Sequence, residues 1–134
     1  MGINIRWENE FGKVLEEVPD PRNCLALALA LSSLDETVCL RFIDPYGDTV
    51  FNQQQIPVLI QELQWLMQLI TPNDVASLQD QPFRVYNLKT GQTENRVRVE
   101  KVSADEVMHL LTKIIELANQ SNGATHTYLK FYGD

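Results

Sequence analysis

The chain has 134 residues, of which 44% are hydrophobic and 22% charged, and its 18 acidic and 11 basic side chains give a net charge of −7. This composition is typical of one globular domain over residues 1–134 and excludes a disordered chain. The negative charge argues against nucleic-acid binding, because proteins that bind nucleic acids usually carry a basic surface. The longest apolar run, residues 24–31, is too short to span a membrane, and without a recognisable signal peptide we expect a cytoplasmic protein.

The chain begins with the pattern of a β-hairpin. Ile3, Ile5 and Trp7 alternate with polar residues, which predicts a half-buried strand. Gly12 ends a short polar connection, and residues 13–18 form the predicted returning strand.

A helix is predicted over residues 21–32, because Asp20 can cap its first turn and Pro21 fits the first helical position. Residues 25–31 alternate leucine and alanine, a period that also suits a strand buried on both faces. Leucine and alanine are strong helix formers, so we predict the helix and keep the buried strand as the alternative. A helix without a polar face must be covered on several sides, and a homodimer through residues 25–31 is one way to cover it.

Residues 38–43 carry the clearest strand pattern in the sequence. Alternation places Val38, Leu40 and Phe42 on one face, and on the other face Cys39, Arg41 and Ile43.

A tight turn is predicted directly after this strand. Asp44, Pro45 and Gly47 occupy the positions that these residue types prefer in a type I turn, which leaves Tyr46 at the tip. We expect Gly47 to adopt a positive φ and to begin a short strand over residues 48–51.

Two helices are predicted in the middle of the chain. Asn52 and Gln55 have the spacing of a capping box, and Pro57 suits the first helical turn. The helix that follows carries an apolar stripe of Ile56, Leu59, Ile60, Leu63, Leu66, Met67 and Ile70. A second cap-and-proline signal predicts a short helix over residues 71–78.

The last third of the chain is predicted as two strands, a helix and a final strand. Residues 83–88 and 96–102 form a strand pair around Gly91, and Ser103 and Glu106 have capping-box spacing. The apolar face of the helix that follows consists of Val107, Leu110, Leu111, Ile114 and Ala118.

The final strand covers residues 127–132, after a helix stop at Asn122 and Gly123. Its buried face carries Leu129 and Phe131, and its other face carries Tyr128, Lys130 and Tyr132. The complete order, ββαββα(α)ββαβ, predicts an α+β fold. We expect a mainly antiparallel sheet of hairpin-paired strands with three to four helices packed on one face.

No sequence motif of a catalytic, metal-binding or nucleotide-binding site is present. His109 and His126 do not have the spacing of zinc ligands, and Cys24 and Cys39 match no metal or redox motif. Two buried free thiols are the favoured interpretation, with a disulfide between them as the alternative. We expect no metal and no cofactor, and the sequence favours a protein that is not an enzyme.

The segment CLRFIDPYGDTVFN, residues 39–52, is the most distinctive in the chain. Together with Pro57, Leu63 and Trp65, it resembles small bacterial proteins that are described only as uncharacterised. The resemblance implies a bacterial source and transfers no functional residue to this chain.

The absence of catalytic motifs, the acidic charge and the surplus of aromatic side chains favour a protein-binding module of adaptor or toxin-immunity type. Tyrosine and tryptophan are enriched at binding hot spots, and acidic residues would attract a basic partner. The candidate binding residues on an acidic, aromatic-bearing surface are Asp44, Tyr46, Asp48, Trp65, Tyr128 and Tyr132. One alternative is a small enzyme whose site combines dispersed residues such as Asp44, Asp48 and His126, and another is a homo-oligomeric structural subunit.

Overall fold

The computed structural model describes residues 3–30, 34–44, 46–70, 80–87, 92–99 and 103–133, and for residues 80–87 and 92–99 it describes the backbone alone. The elements are, in chain order, β1 (Asn4–Asn9), β2 (Val14–Val18), α1 (Cys24–Ala30), β3 (Asp48–Phe51), α2 (Ile56–Leu69), β4 (Asp80–Asn87), β5 (Gln92–Val99), α3 (Ala104–Ser121) and β6 (Thr127–Tyr132).

The main sheet has four strands in the order β2-β1-β6-β3, and all neighbouring strands are antiparallel. The predicted first hairpin is confirmed. Its turn is held by the Asn9 side chain, whose oxygen accepts hydrogen bonds from the backbone of Phe11 and Lys13, while Gly12 takes a φ of +79°.

Helices cover one face of this sheet. α3 packs against β1, β2 and β6, and α1 and α2 pack against α3. The buried sheet residues beneath the helices include Ile5, Phe51, Leu129 and Phe131, and the rings of Phe51 and Phe131 meet edge to face at 5.5 Å. The five residues of the predicted apolar face of α3 are all buried. The predicted α+β class, with an antiparallel sheet and helices on one face, is confirmed.

The predicted capping boxes are confirmed in part. The pair at Asn52 and Gln55 forms in the turn before α2, whose N-cap residue Gln55 makes no side-chain cap bond, and at α3 the Glu106 carboxylate binds Arg22 and does not return to Ser103. The backbone N–H of Asn52 donates to the Gln55 side chain, and that of Gln55 donates to the Asn52 side chain, as a capping box requires. The Ser103 hydroxyl accepts a hydrogen bond from the Glu106 N–H at the start of α3. Gly123, with a φ of +85°, follows the end of α3.

Residues Cys24–Ala30 form a helix, so the alternative of a buried strand is wrong. The helix begins later than predicted because both carboxylate oxygens of Asp20 bind further along the chain, at the N–H groups of Cys24 and Leu25, each at 2.9 Å. Asn23, which lies between Asp20 and the start of the helix at Cys24, takes a φ of +60°. Among the residues that the structure describes in α1, only Ala30 is exposed.

The predicted strand over residues 38–43 is wrong. Leu40–Phe42 is instead a single turn of 3-10 helix. The backbone N–H groups of Val38, Cys39 and Leu40 donate to one side chain, the Glu62 carboxylate on α2, at 2.6 to 2.9 Å. These amides are therefore bound by a helix side chain and not by a neighbouring strand.

The third strand pair does not join the main sheet. β4 and β5 pair with each other as a separate two-stranded antiparallel sheet. The predicted helix over residues 71–78 and the turn around Gly91 lie outside the described residues. Among the residues that are described, no helix combines the length and hydrophobicity that a membrane crossing requires.

Candidate functional site

Between α1 and β3 the structure describes residues 34–44 and 46–47, and side-chain hydrogen bonds hold much of this irregular backbone. Glu62 binds three consecutive backbone N–H groups at residues 38–40. The Thr37 hydroxyl donates to the Leu34 carbonyl and accepts from the Arg41 N–H. These bonds satisfy backbone groups at residues 34 and 38–41, where no sheet or long helix does.

The turn before β3 is held in a similar way. The Asp44 carboxylate accepts the Tyr46 N–H at 2.8 Å, a local bond that aspartate commonly makes in turns, and the Gly47 N–H donates to the Asp44 carbonyl. The Thr49 hydroxyl donates to the Phe42 carbonyl at 3.0 Å and ties the two sides of the turn together.

The predicted positive φ of Gly47 is wrong, since the described glycines with a positive φ are Gly12 and Gly123. Position 47 is glycine because there is no room for a larger side chain, and not because of its backbone conformation. A Cβ at position 47 would lie 2.8 Å from one carboxylate oxygen of Asp44. That carboxylate is already held by its bond to Tyr46.

This fixed segment exposes apolar side chains to solvent. The exposed fractions are 59% for Val38, 59% for Phe42, 84% for Tyr46 and 50% for Val50. The acidic residues between and beside them, all exposed, are Asp35, Glu36, Asp44 and Asp48. We call these eight residues, which are neighbours in sequence, the 35–50 surface. Asp35, Glu36 and Val38 lie on the side of α2, whereas Asp48 and Val50 lie on the outer face of the sheet, where they pair with Tyr132 and Lys130.

The segment that carries the 35–50 surface contains one basic residue, Arg41. The guanidinium of Arg41 lies over the ring of Phe42, 4.8 Å from its centroid. Within the described part of segment 35–50 the charge is therefore strongly negative, with four exposed carboxylates against one guanidinium.

A hollow of about 460 Å³ adjoins this surface where α2 meets residues 35–37. Its described lining residues are Asp35, Glu36, Thr37, Glu62 and Trp65. Trp65 is 38% exposed, and Leu69, one helical turn later on α2, is 43% exposed. The structure thus brings the predicted binding residue Trp65 next to acidic side chains that the sequence did not single out.

Tyr132 lies apart from this hollow, on the sheet face away from the helices. Arg6 and Lys130 lie against its ring, at 4.5 and 4.3 Å from the centroid, and its hydroxyl donates to the Glu8 carboxylate. The pKa of Lys130 is raised by its interaction with the Tyr132 side chain and by the negative charges of Glu8 and Asp48. Tyr132 therefore contacts Arg6, Lys130 and Glu8 on this face, and little of its side chain is left to contact a partner.

Asp48, on β3, and Tyr128, on β6, lie at opposite ends of the sheet in the direction of β6. Asp48 pairs with Tyr132, the last residue of β6, while Tyr128 lies near the first and pairs with Glu8 of β1. Tyr128 is 38% exposed. The structure therefore separates Tyr128 from Asp44, Tyr46 and Asp48.

The residues of the alternative enzyme site are not brought together. His126 precedes β6, and its ring is 3.4 Å from the Glu10 carboxylate beside the tip of the first hairpin. Asp48 pairs with the other end of β6, six residues further along the chain. At the rise of a strand, this separation is roughly 20 Å.

A second groove, of about 370 Å³, was not predicted from the sequence. It lies between the β2–α1 connection and α3, and Asp20, Cys24, His109 and Lys113 are among its lining residues. Burial raises the pKa of Asp20, although the bonds from the Leu25 and Cys24 N–H groups oppose the shift. The sequence indicated Asp20 only as a helix cap.

Cys24 and Cys39 are buried thiols that form no disulfide, so the predicted thiols are confirmed and the alternative of a disulfide is wrong. Burial, assisted by the negative charge of Glu62, raises the pKa of the Cys39 thiol. This thiol therefore stays protonated at neutral pH and donates to the Gln55 carbonyl.

Among the described residues, no group of three or more histidine, cysteine, aspartate or glutamate side chains is arranged to hold a metal ion. In comparisons with known proteins, no family model, no curated protein and no solved structure matches this chain.

Proposed function

We propose that this chain is a small protein-binding module, of adaptor or toxin-immunity type, which docks on its partner through the 35–50 surface. One observation supports this most strongly. Four exposed apolar side chains, among them the 84%-exposed Tyr46, lie within thirteen residues of sequence, and hydrogen bonds from side chains hold the described backbone beside three of them. The proposal includes the cytoplasmic location and the bacterial source expected from the sequence.

The exposure of these side chains costs free energy in water, at about 25 cal/mol per Å² of apolar surface. Clustered apolar residues with a polar rim commonly mark a protein interface, and aromatic residues supply much of the binding energy there. The polar side chains of Asp44, Thr49 and Glu62 hold the backbone that presents them. Such a surface loses little conformational entropy when it binds, which favours affinity.

The charge of the 35–50 surface defines the chemistry of the partner. Its four carboxylates, in a chain with a net charge of −7, would attract a basic protein and speed its association. A toxin or enzyme with a basic surface fits this description, and an acidic module that covers such a surface would block it.

The test is capture of a stoichiometric partner from the source cell by three immobilised proteins. The first is the wild-type chain, the second carries Tyr46→Ala, and the third carries Phe11→Ala. Phe11 is a matched control because it is 86% exposed, as against 84% for Tyr46, but lies at the tip of the first hairpin.

We expect one basic protein to be captured by the wild type and by the Phe11 variant, and capture by the Tyr46 variant to fall at least about tenfold. Equal capture by all three proteins, or loss with Phe11→Ala alone, would place the binding site elsewhere. If no stoichiometric partner is captured at all, the proposed function is wrong.

A further inference from the structure

We propose that the hollow beside Trp65 receives one arginine side chain of the partner. This inference rests on the proposed function and adds the chemistry by which that partner is recognised. The hollow combines an aromatic wall, acidic side chains and a volume of about 460 Å³, which is ample for one side chain.

The aromatic side of the hollow is Trp65. It lies on α2, outside the row of apolar residues that the helix buries, and it is partly exposed. A tryptophan face attracts cations because of its ring quadrupole, and tryptophan is the most effective aromatic residue for this contact. Glu62 lies three residues earlier on the same helix and therefore on the same side as Trp65. Its bonds to Val38 and Cys39 fix the chain that forms the rim.

The two acidic residues at the rim have free carboxylates. Within the described part of the chain, the side chains of Asp35 and Glu36 make no hydrogen bond and no ion pair. No lysine or arginine is among the described residues that line the hollow. The nearest basic residue in sequence, Arg41, holds its guanidinium over the Phe42 ring instead. The negative charge of the hollow is thus left for a cation from outside.

Arginine fits this arrangement better than lysine. A guanidinium is planar, so it can stack on the Trp65 indole while its N–H groups donate in pairs to the carboxylates of Asp35 and Glu36. A lysine ammonium is a compact, strongly hydrated charge and can do only one of these well. The continuity of the hollow with the 35–50 surface, through the shared residues Asp35 and Glu36, lets one partner occupy both.

The test needs no partner. N-acetyl-arginine amide is titrated into ¹⁵N-labelled protein, and the indole N–H signal of Trp65 is followed by NMR, with that of Trp7 as internal control. The neutral citrulline analogue has the same shape without the charge, and N-acetyl-lysine amide tests the preference for a guanidinium. The acidic rim is removed with the double variant Asp35→Asn, Glu36→Gln. The matched control is Glu16→Gln, Glu116→Gln, which removes the same charge from two exposed positions elsewhere.

We expect a saturable shift of the Trp65 signal, with a dissociation constant in the millimolar range for arginine amide, a weaker response to lysine amide and none to citrulline. The Asp35, Glu36 double variant should bind at least about fivefold more weakly, whereas the control variant should stay within about twofold of the wild type. Equal shifts with arginine and citrulline, equal shifts of the two tryptophans, or equal affinity in the two double variants would each overturn the inference.

The two proposals fail in different experiments. If Trp65 does not respond to arginine amide while Tyr46-dependent capture of a partner succeeds, the arginine site is wrong and the docking surface stands. If Trp65 responds as expected but no partner is captured, the hollow binds a guanidinium and the protein-binding function is wrong.

Discussion

Glu62 and Cys39 are joined by a hydrogen bond of 2.8 Å from the Cys39 backbone N–H to a carboxylate oxygen of Glu62. The same carboxylate binds the N–H groups on either side, at Val38 and Leu40. One side chain of α2 therefore holds three consecutive backbone groups in the segment that carries Asp35, Glu36 and Val38 of the 35–50 surface.

The first prediction follows from this contact. Glu62→Ala leaves three backbone N–H groups without their acceptor, and the Cys39 and Leu40 side chains beside them are buried. We expect the free energy of unfolding to fall by about 1 to 3 kcal/mol, because this is the usual cost of leaving a buried polar group without its hydrogen-bond partner. The measurement is urea denaturation at neutral pH. Gln64→Ala, at an exposed position of the same helix, is the control and should change stability by less than about 0.5 kcal/mol. Equal midpoints for the two variants would contradict this role of Glu62.

The Glu62 contact also shows which parts of the fold the sequence could and could not predict. The hydrogen bonds to the Asn52 and Ser103 side chains were predicted correctly because the donor and acceptor lie three residues apart. The strand over residues 38–43 was predicted wrongly because its period of two is a local pattern. The group that overrides the pattern lies 22 to 24 residues later, and no local signal indicates it.

The same limit applies to the candidate site. Tyr46 was predicted at the tip of a turn and Trp65 was named as a candidate binding residue, and both are exposed. Val38 and Phe42 were missed, because the predicted strand would have placed them on a sheet. Tyr132 was predicted as a binding residue, but its ring and hydroxyl are occupied by Arg6, Glu8 and Lys130. Lys130 lies on the same face of the same strand, as predicted, whereas Arg6 and Glu8 lie on β1, and a single sequence does not reveal that β1 pairs with β6.

The second prediction concerns Gly47. Gly47→Ala should lower the free energy of unfolding by about 1 kcal/mol, because the new methyl group must displace the Asp44 carboxylate from its place in the turn. The cost should largely disappear in an Asp44→Ala background, where the carboxylate is absent. Gly12→Ala is the control: a Cβ there meets nothing within 4 Å, but the φ of +79° is unfavourable for alanine. Its cost should be the same with or without Asp44. If Asp44→Ala fails to relieve the Gly47 variant, crowding is not the reason for this glycine.

The third prediction is a pH dependence that arises at Asp20. Burial raises the pKa of its carboxyl group above the ordinary value of 3.8. The folded state therefore binds more protons than the unfolded state between these two pKa values, and the contribution of Asp20 to stability falls as the pH rises through this window. Relative to Asp20→Asn, which cannot titrate, the wild type should lose stability from pH 3.8 towards neutral pH. Urea denaturation of both proteins over this range gives the difference, with Asp35→Asn as the control at an exposed position. A difference that is constant, or that grows in favour of the wild type, would contradict the raised pKa.

The fourth prediction concerns the homodimer through α1, which the sequence left as an alternative. Of the described residues of this helix only Ala30 is exposed, and Leu27 is half-buried. The apolar strip that the described residues 25–30 expose offers much less area than stable dimers bury. Sedimentation equilibrium at micromolar concentration should therefore give the monomer mass of 15.3 kDa. A dimer that Leu27→Glu converts into a folded monomer would instead establish the interface at α1.

The last prediction separates the two tyrosines of β6. Tyr132→Phe removes the hydroxyl that donates to the Glu8 carboxylate, and Glu8 is only 7% exposed. A nearly buried carboxylate that loses its donor should cost about 1 to 3 kcal/mol of the free energy of unfolding. Tyr128→Phe is the matched control on the same face of the same strand, where the side chain is 38% exposed, and it should cost less than about 0.5 kcal/mol.

A double-mutant cycle tests whether the loss arises from this one contact. In a Glu8→Gln background the hydroxyl no longer serves a buried charge, so the additional cost of Tyr132→Phe should fall by at least half. Independent costs for the two changes would show that Tyr132 stabilises the sheet by its packing with Arg6 and Lys130 alone. Both variants keep the eight residues of the 35–50 surface and replace only a hydroxyl group beside Asp48 or further along β6, so both should capture a partner as the wild type does. If Tyr132→Phe alone reduced capture, Tyr132 would belong to the binding site, as the sequence analysis predicted.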